Sequence, residues 1–98
     1  MFTINGVLWR VIIVSPNHPE LRQPNGKYAV GCCNTTNHTI YIASNLPIEQ
    51  YREVLYHEVA HAAINSYNIL LPLDEEERMV SFISTHGDEI AAIVNQFI

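Results

Sequence analysis

The sequence His57-Glu58-Val59-Ala60-His61 lies in the middle of a stretch with helical periodicity. Residues four apart on a helix lie one turn apart on the same face, so the imidazoles of His57 and His61 can bind one metal ion. Glu58 lies about 100° around the helix axis from His57, a direction that suits a general base acting on a metal-bound water. The spacing therefore predicts a zinc site with His57 and His61 as ligands and Glu58 as the catalytic residue.

The predicted motif helix begins at Asn45-Leu46-Pro47 and ends at about Ser66 or Tyr67. Proline is tolerated in the first turn, and Glu49 suits the positive end of the helix dipole. Apolar residues at helical spacing form one predicted core face: Ile48, Tyr51, Leu55, Val59, Ala62 and Ala63. The histidines lie on roughly the opposite side, flanked by Val54 and Ile64, which predicts that the metal-binding face lines a cleft.

Length and composition favour one globular domain, residues 1–98, with 48% hydrophobic and 15% charged residues. The net charge is -5 and the five basic residues are scattered, so direct nucleic-acid binding is not expected. No signal peptide or membrane-spanning stretch is recognisable. Cys32 and Cys33 are adjacent and poorly placed for a disulfide, which favours a reducing, cytoplasmic setting.

Strand signals occupy the N-terminal half of the chain. Asn5-Gly6 predicts a tight hairpin turn between strands at residues 1–4 and 7–14, with Trp9 in the core. A second hairpin is predicted from residues 27–33 and 39–43, with the turn at residues 34–37. The intervening proline-rich stretch, residues 15–26, is predicted to be a loop.

Two further helices are predicted after the motif helix. Asp74 is the expected N-cap of the first, with Glu77 as its capping-box partner and Gly87 as its stop. Asp88 is expected to cap the last helix, whose apolar stripe contains Ile90, Ile93, Val94 and Phe97. Strands followed by helices predict an α+β domain, in which a small antiparallel sheet packs on the motif helix and two C-terminal helices.

A catalytic zinc ion needs a third protein ligand and one open position. Among the acidic residues after the motif helix, Glu76 shares a helical face with Met79, Val80 and Ile83. A carboxylate on an apolar face needs a partner such as a metal, so Glu76 is the predicted third ligand. Glu75 is the second choice, and Glu77 points towards the more polar side; both also suit a first helical turn.

With Glu76, Met79 and Phe82 at their spacing after His57-Glu58-Val59-Ala60-His61, the sequence resembles the small ImmA/IrrE-like zinc metallopeptidases, including phage-borne members. In that family the second signature is a glutamate followed at plus three by a small or apolar residue and at plus six by phenylalanine. The resemblance covers most of the chain; Met79 replaces the usual small residue. It implies a compact zincin-like fold, zinc-dependent peptide hydrolysis and, as a substrate, a transcriptional repressor of a mobile element or stress response.

Several alternatives stay open at the level of the sequence. The chain could be a zinc-binding interaction module with little or no peptidase activity, or its apolar C-terminal end could fill its own cleft. The strand at residues 39–43 could bind substrate as an added strand if it lies at the sheet edge. His86 or a tyrosine (Tyr41, Tyr51, Tyr56 or Tyr67) could stabilise the oxyanion, and the oligomeric state is undetermined.

Overall fold

The computed structural model describes residues 1–98 and contains four strands followed by two helices. Their bounds are β1 Phe2–Ile4, β2 Val7–Val14, β3 Gly31–Asn34, β4 Thr39–Ala43, α1 Ile48–Ser66 and α2 Leu73–Asn95. A short 3-10 turn, Pro19–Leu21, lies in the long connection between β2 and β3. The chain is therefore an α+β domain, as its order of strands and helices predicts.

Both predicted hairpins are present. Asn5 and Gly6 have φ angles of 49° and 77°, the left-handed conformation that a tight two-residue turn between β1 and β2 requires. In the second hairpin the side chain of Asn34 accepts hydrogen bonds from the backbone N–H groups of Thr36 and Asn37. Its first strand is shorter than predicted and begins at Gly31, because the preceding residues pair with the loop around Leu21.

The sheet is mixed, and the prediction of an antiparallel sheet is wrong. The strand order is β1-β2-β4-β3, and β2 pairs with β4 in parallel while the two hairpin pairs are antiparallel. Strand β4 is consequently an interior strand, and Ile40 and Ile42 in it are fully buried. The edge beside the motif helix belongs to β3, so β4 cannot accept an added strand.

Helix α1 packs across the sheet. Trp9, Ile40, Ile42 and Ala62 are the buried centre of this core, and the indole N–H of Trp9 donates a 2.8 Å hydrogen bond to the Ser66 hydroxyl. Tyr51, Leu55 and Val59 pack around it as predicted, but Ile48, at the first residue of the helix, is exposed. The core therefore fixes the rotation of α1 and turns the motif histidines away from the sheet centre.

Each helix begins directly after a proline, Pro47 for α1 and Pro72 for α2. Helix α1 ends as predicted, with Asn68 in the left-handed conformation (φ 55°). The N–H of Asn68 bonds to the Asn65 carbonyl and that of Ile69 to the Ile64 carbonyl, which is a Schellman arrangement. This turn directs the chain into an apolar segment, residues 69–73, and then back along α1.

The prediction of two C-terminal helices is wrong, because α2 continues through Gly87 to Asn95. The glycine packs against α1: a Cβ atom built on it would lie 3.3 Å from the ring of Tyr56. Asp74 is not the N-cap either, since α2 begins one residue earlier and has no side-chain cap. Glu77 therefore has no capping role and is free for other contacts.

Helices α1 and α2 run antiparallel. Val80 packs against Ala60 and Ile64 near the loop end of the pair. At the other end the guanidinium of Arg52 donates to Asp88 at 2.9 Å, and the Tyr56 hydroxyl donates to the same carboxylate. Neither helix has the length and apolar character that a membrane crossing requires.

Candidate metal centre

Side chains from both helices meet at one group of possible metal ligands. Ligand atoms of His57, His61 and Glu77 all lie within 4.8 Å of one another. The Glu77 carboxylate oxygens lie 3.0 Å from Nε2 of His61 and 3.5 Å from Nε2 of His57. Because Glu77 is three residues before the buried Val80, the packing of α2 on α1 carries it to the histidines.

These three residues could hold a metal ion. Two imidazoles and one carboxylate form a donor set found in catalytic zinc sites. Ligands about 2.1 Å from a tetrahedral zinc ion are roughly 3.4 Å from one another. Oε2 of Glu77 lies 3.5 Å from Nε2 of His57 and Oε1 lies 3.0 Å from Nε2 of His61. Because these contacts use different carboxylate oxygens, the side chains must shift for one oxygen to take that spacing from both imidazoles.

Glu76, the ligand predicted from helical phase, lies beside the same group. It meets the edge of the His61 ring opposite to the edge that Glu77 meets. Its carboxylate is 2.7 Å from Nδ1 of His61 and is not in the group that includes His57. Glu76 and Glu77 are four and three residues before Val80, so both face α1. Glu75 is exposed. The structure thus brings together His57, His61 and Glu77, while a ligand role for Glu76 stays a prediction.

Glu58 is a buried residue, 8% exposed, yet no hydrogen bond or ion pair within the protein includes its carboxylate. Burial raises the pKa of Glu58 to about 7, with a further rise from Glu77 and an opposing effect from His61. Every fully enclosed polar side-chain atom has a partner, so the Glu58 oxygens must retain contact with solvent. An unpartnered carboxylate in such a place is available to accept a proton.

Burial also acts on His57. It lowers the pKa of the imidazole, and the neighbouring His61 lowers it further, while Glu77 acts in the opposite direction. The two rings are 5.0 Å apart between centroids. A lowered pKa favours the neutral imidazole, which is the form that binds a metal.

Two cavities adjoin the group, one on each side. The first, about 720 Å³, reaches from Cys33 and Thr35 to the apolar segment at residues 69–73. The second, about 700 Å³, reaches from Val30 and Gly31 to Gln50 and Glu53. Both are lined by Glu58, His61, Leu73 and Glu77, so these residues lie at their junction. We call the two cavities together the groove, since they share these four residues and strand β3 contributes Cys33 to one and Gly31 to the other.

Gly31 is a site residue that the sequence did not reveal. A Cβ atom at this position would lie 2.6 Å from Cγ1 of Val54 and 3.1 Å from Oε2 of Glu58. The absence of a side chain lets the edge strand approach α1 closely and places strand backbone beside the Glu58 carboxylate. A glycine before two cysteines carries no local signal for this contact.

The proposed oxyanion donors do not line either cavity. Tyr56 bonds to Asp88, Tyr41 accepts a hydrogen bond from Asn37, and His86 contacts Phe82 on the exposed side of α2. Tyr51 and Tyr67 are likewise absent from both linings. An oxyanion role for His86 or these tyrosines therefore has no support in this arrangement.

Comparison of the chain with protein-family models, with curated proteins and with solved structures gives no match. The ImmA/IrrE resemblance accordingly rests on the motif residues and their spacing alone.

Proposed function

We propose that the chain is a zinc-dependent metallopeptidase with His57, His61 and Glu77 as metal ligands and Glu58 as general base. The observation that carries the proposal is the carboxylate of the buried residue Glu58, which has no partner within the protein and adjoins the ligand group and both cavities. Partly desolvating an unpaired carboxylate opposes folding, and neither helix packing nor a purely structural metal site needs one.

The chemistry would divide between the metal and the chain. A bound zinc ion would supply Lewis acidity that polarises the scissile carbonyl and lowers the pKa of a water molecule. Glu58 accepts the proton from the attacking water and delivers it to the leaving nitrogen. Its position beside Gly31 limits access of bulk solvent, and its raised proton affinity suits a base that works near neutral pH.

The groove along β3 supports an extended peptide as the substrate. Strand β3 lies at the edge of the sheet, and Gly31 and Cys33 on it line the two cavities. The first cavity is walled by apolar side chains of the segment at residues 69–73, and every charged side chain apart from the histidines in either lining is a glutamate. This groove favours apolar and basic substrate side chains over acidic ones.

The ImmA/IrrE resemblance extends the proposal to the partner. The protein substrate would be a transcriptional repressor, and cleavage would take place in the cytoplasm. The chain itself has five basic residues among 98 and a net charge of -5, so the proposal assigns it no direct contact with nucleic acid.

The test compares the protein with its Glu58→Gln variant. Both are reconstituted with zinc, metal content is measured after dialysis, and cleavage of a randomised decapeptide library is followed by mass spectrometry. We expect about one zinc per chain in each protein and a loss of cleavage of a hundredfold or more in the variant, as is typical for removal of a general base.

Zinc binding without cleavage of peptides or of candidate repressors by the unmodified protein would favour the alternative function, a zinc-binding interaction module. Full activity in Glu58→Gln would contradict the role of Glu58. Absence of zinc from the unmodified protein would contradict the proposed site itself.

A further inference from the structure

The His61 imidazole lies between two carboxylates of α2. Nδ1 is 2.7 Å from Glu76 and Nε2 is 3.0 Å from Glu77. The two glutamates are adjacent in sequence, yet they meet opposite edges of one ring. Their roles must therefore differ, because only one nitrogen of an imidazole can bind a given metal ion.

The geometry distinguishes the two nitrogens. Nε2 of His61 faces Glu77, which also approaches Nε2 of His57, so the shared ligand position lies on that side. A neutral imidazole that binds a metal through Nε2 carries its proton on Nδ1. The Glu76 carboxylate is at hydrogen-bond distance from Nδ1 of His61 and can accept a hydrogen bond from its N–H group.

The surroundings make this contact well defined. The side chain of His61 is 14% exposed and that of Glu76 is 25% exposed, whereas that of Glu77 is 46% exposed. His57 has no comparable acceptor, since its polar contact with Glu77 is through Nε2. His61 therefore has a carboxylate near each ring nitrogen, whereas His57 has one near Nε2 alone.

We propose that Glu76 is a positioning residue, which holds Nδ1–H of His61 and so presents Nε2 to the metal, while its neighbour Glu77 is the ligand. The proposal rests on the metal centre assigned above. A carboxylate on the outer nitrogen of a histidine ligand fixes the tautomer and the ring orientation, and loss of such a partner typically weakens metal affinity about 10- to 100-fold.

The experiment compares four variants of the full chain: Glu76→Ala, Glu76→Gln, Glu77→Gln and, as a matched control, the exposed Glu75→Ala. Zinc affinity is measured by competition with a chromophoric chelator, and Co²⁺ absorption in the visible range reports the number and type of ligands. We expect Glu76→Ala to weaken zinc binding about 10- to 100-fold with an unchanged Co²⁺ spectrum. Glu76→Gln is expected to lose less, because its amide oxygen still accepts a hydrogen bond.

Glu77→Gln is expected to change the Co²⁺ spectrum as well as the affinity, since it alters a ligand, and Glu75→Ala is expected to change neither. The reverse pattern, a changed spectrum in the Glu76 variants and an unchanged one in Glu77→Gln, would overturn the assignment. Equal affinity in Glu76→Ala and the unmodified protein would overturn it as well.

A measurement on the metal-free protein separates this inference from the proposed function. Long-range ¹H–¹⁵N correlation spectra identify which His61 nitrogen carries the proton. We expect protonation of Nδ1 in the unmodified protein and a shift towards Nε2 in Glu76→Ala, even if no peptide is ever cleaved. An identical His61 spectrum in both proteins would contradict the positioning role, whether or not the chain is a peptidase.

Discussion

Glu58 and Cys33 line the same cavity, and burial raises the proton affinity of both. The pKa of Glu58 rises to about 7, which leaves it able to gain or lose a proton near neutral pH. Burial, with a smaller contribution from Glu58, raises the pKa of Cys33 to about 12, so this side chain remains a thiol. Cys33 does not belong to the group of ligand atoms that lie together, and it is therefore expected to leave metal binding to the histidines and Glu77.

Alkylation rates test the state of Cys33. Its pKa of about 12, against an ordinary value of 9.0, lowers the thiolate fraction by roughly a thousandfold. We expect the Cys32→Ser variant, which retains only Cys33, to react with iodoacetamide at pH 8 at least a hundredfold more slowly when folded than in urea. The Cys33→Ser variant is the matched control, and its remaining Cys32 should be less protected. Rapid alkylation of folded Cys32→Ser would contradict the burial of Cys33.

At the level of single residues, the sequence predicts the meeting of the two motif histidines better than the choice of the third ligand. Spacing of four on a helix is enough to bring His57 and His61 together, and it required no knowledge of the rest of the fold. The choice between Glu76 and Glu77 could not be made in this way. Both lie within one turn of Val80, and the orientation of the His61 ring between them depends on tertiary packing.

The contact of strand β3 with helix α1 depends on Gly31, and Gly31→Ala tests it. The added methyl group would overlap Cγ1 of Val54, so we expect the free energy of unfolding to fall by about 1–3 kcal/mol, as for overpacked sites. In a Val54→Ala background the loss should be smaller, because the overlapping atom is removed. Urea denaturation of the four proteins of this cycle measures both values. An equal loss of unfolding free energy in both backgrounds would show that position 31 and Val54 are not in close contact.

Helix and turn boundaries were predictable where the signal was local. Asn5-Gly6 and Pro47 act through their own backbone conformation, and the structure follows them. For the start of α2 the sequence instead predicts a cap at Asp74, whereas the helix begins directly after Pro72. Gly87 was misleading because a glycine in a helix costs only about 1 kcal/mol. Close packing of Tyr56 against it and the bonds of Arg52 and Tyr56 to Asp88 hold α2 together beyond this residue.

The arrangement of the strands in the whole molecule could not be predicted from local sequence signals. Each hairpin is antiparallel by its turn, but the parallel pairing of β2 with β4 joins the hairpins across a connection of 24 residues, Ser15 to His38. Ile40 and Ile42 are fully buried on the strand that this pairing makes interior, and no periodicity in the sequence specifies the pairing. The same pairing leaves β3 at the edge and so determines which strand borders the groove.

The C-terminal part of α2 extends away from the metal centre and does not fill the groove. Ile93 lies sixteen positions after Glu77 along the helix, a rise of about 24 Å, and the apolar side chains of Ile93 and of Phe97, just beyond the helix end, are 50% and 81% exposed. We therefore expect Ile93→Gln combined with Phe97→Gln to leave zinc affinity and peptide cleavage within about twofold of the unmodified protein, since exposed substitutions have small effects. Val80→Gln, which buries an amide between α1 and α2, is the contrasting control and should lower the unfolding temperature and weaken zinc binding. A several-fold gain of cleavage in the double variant would instead show that this segment blocks the groove in solution.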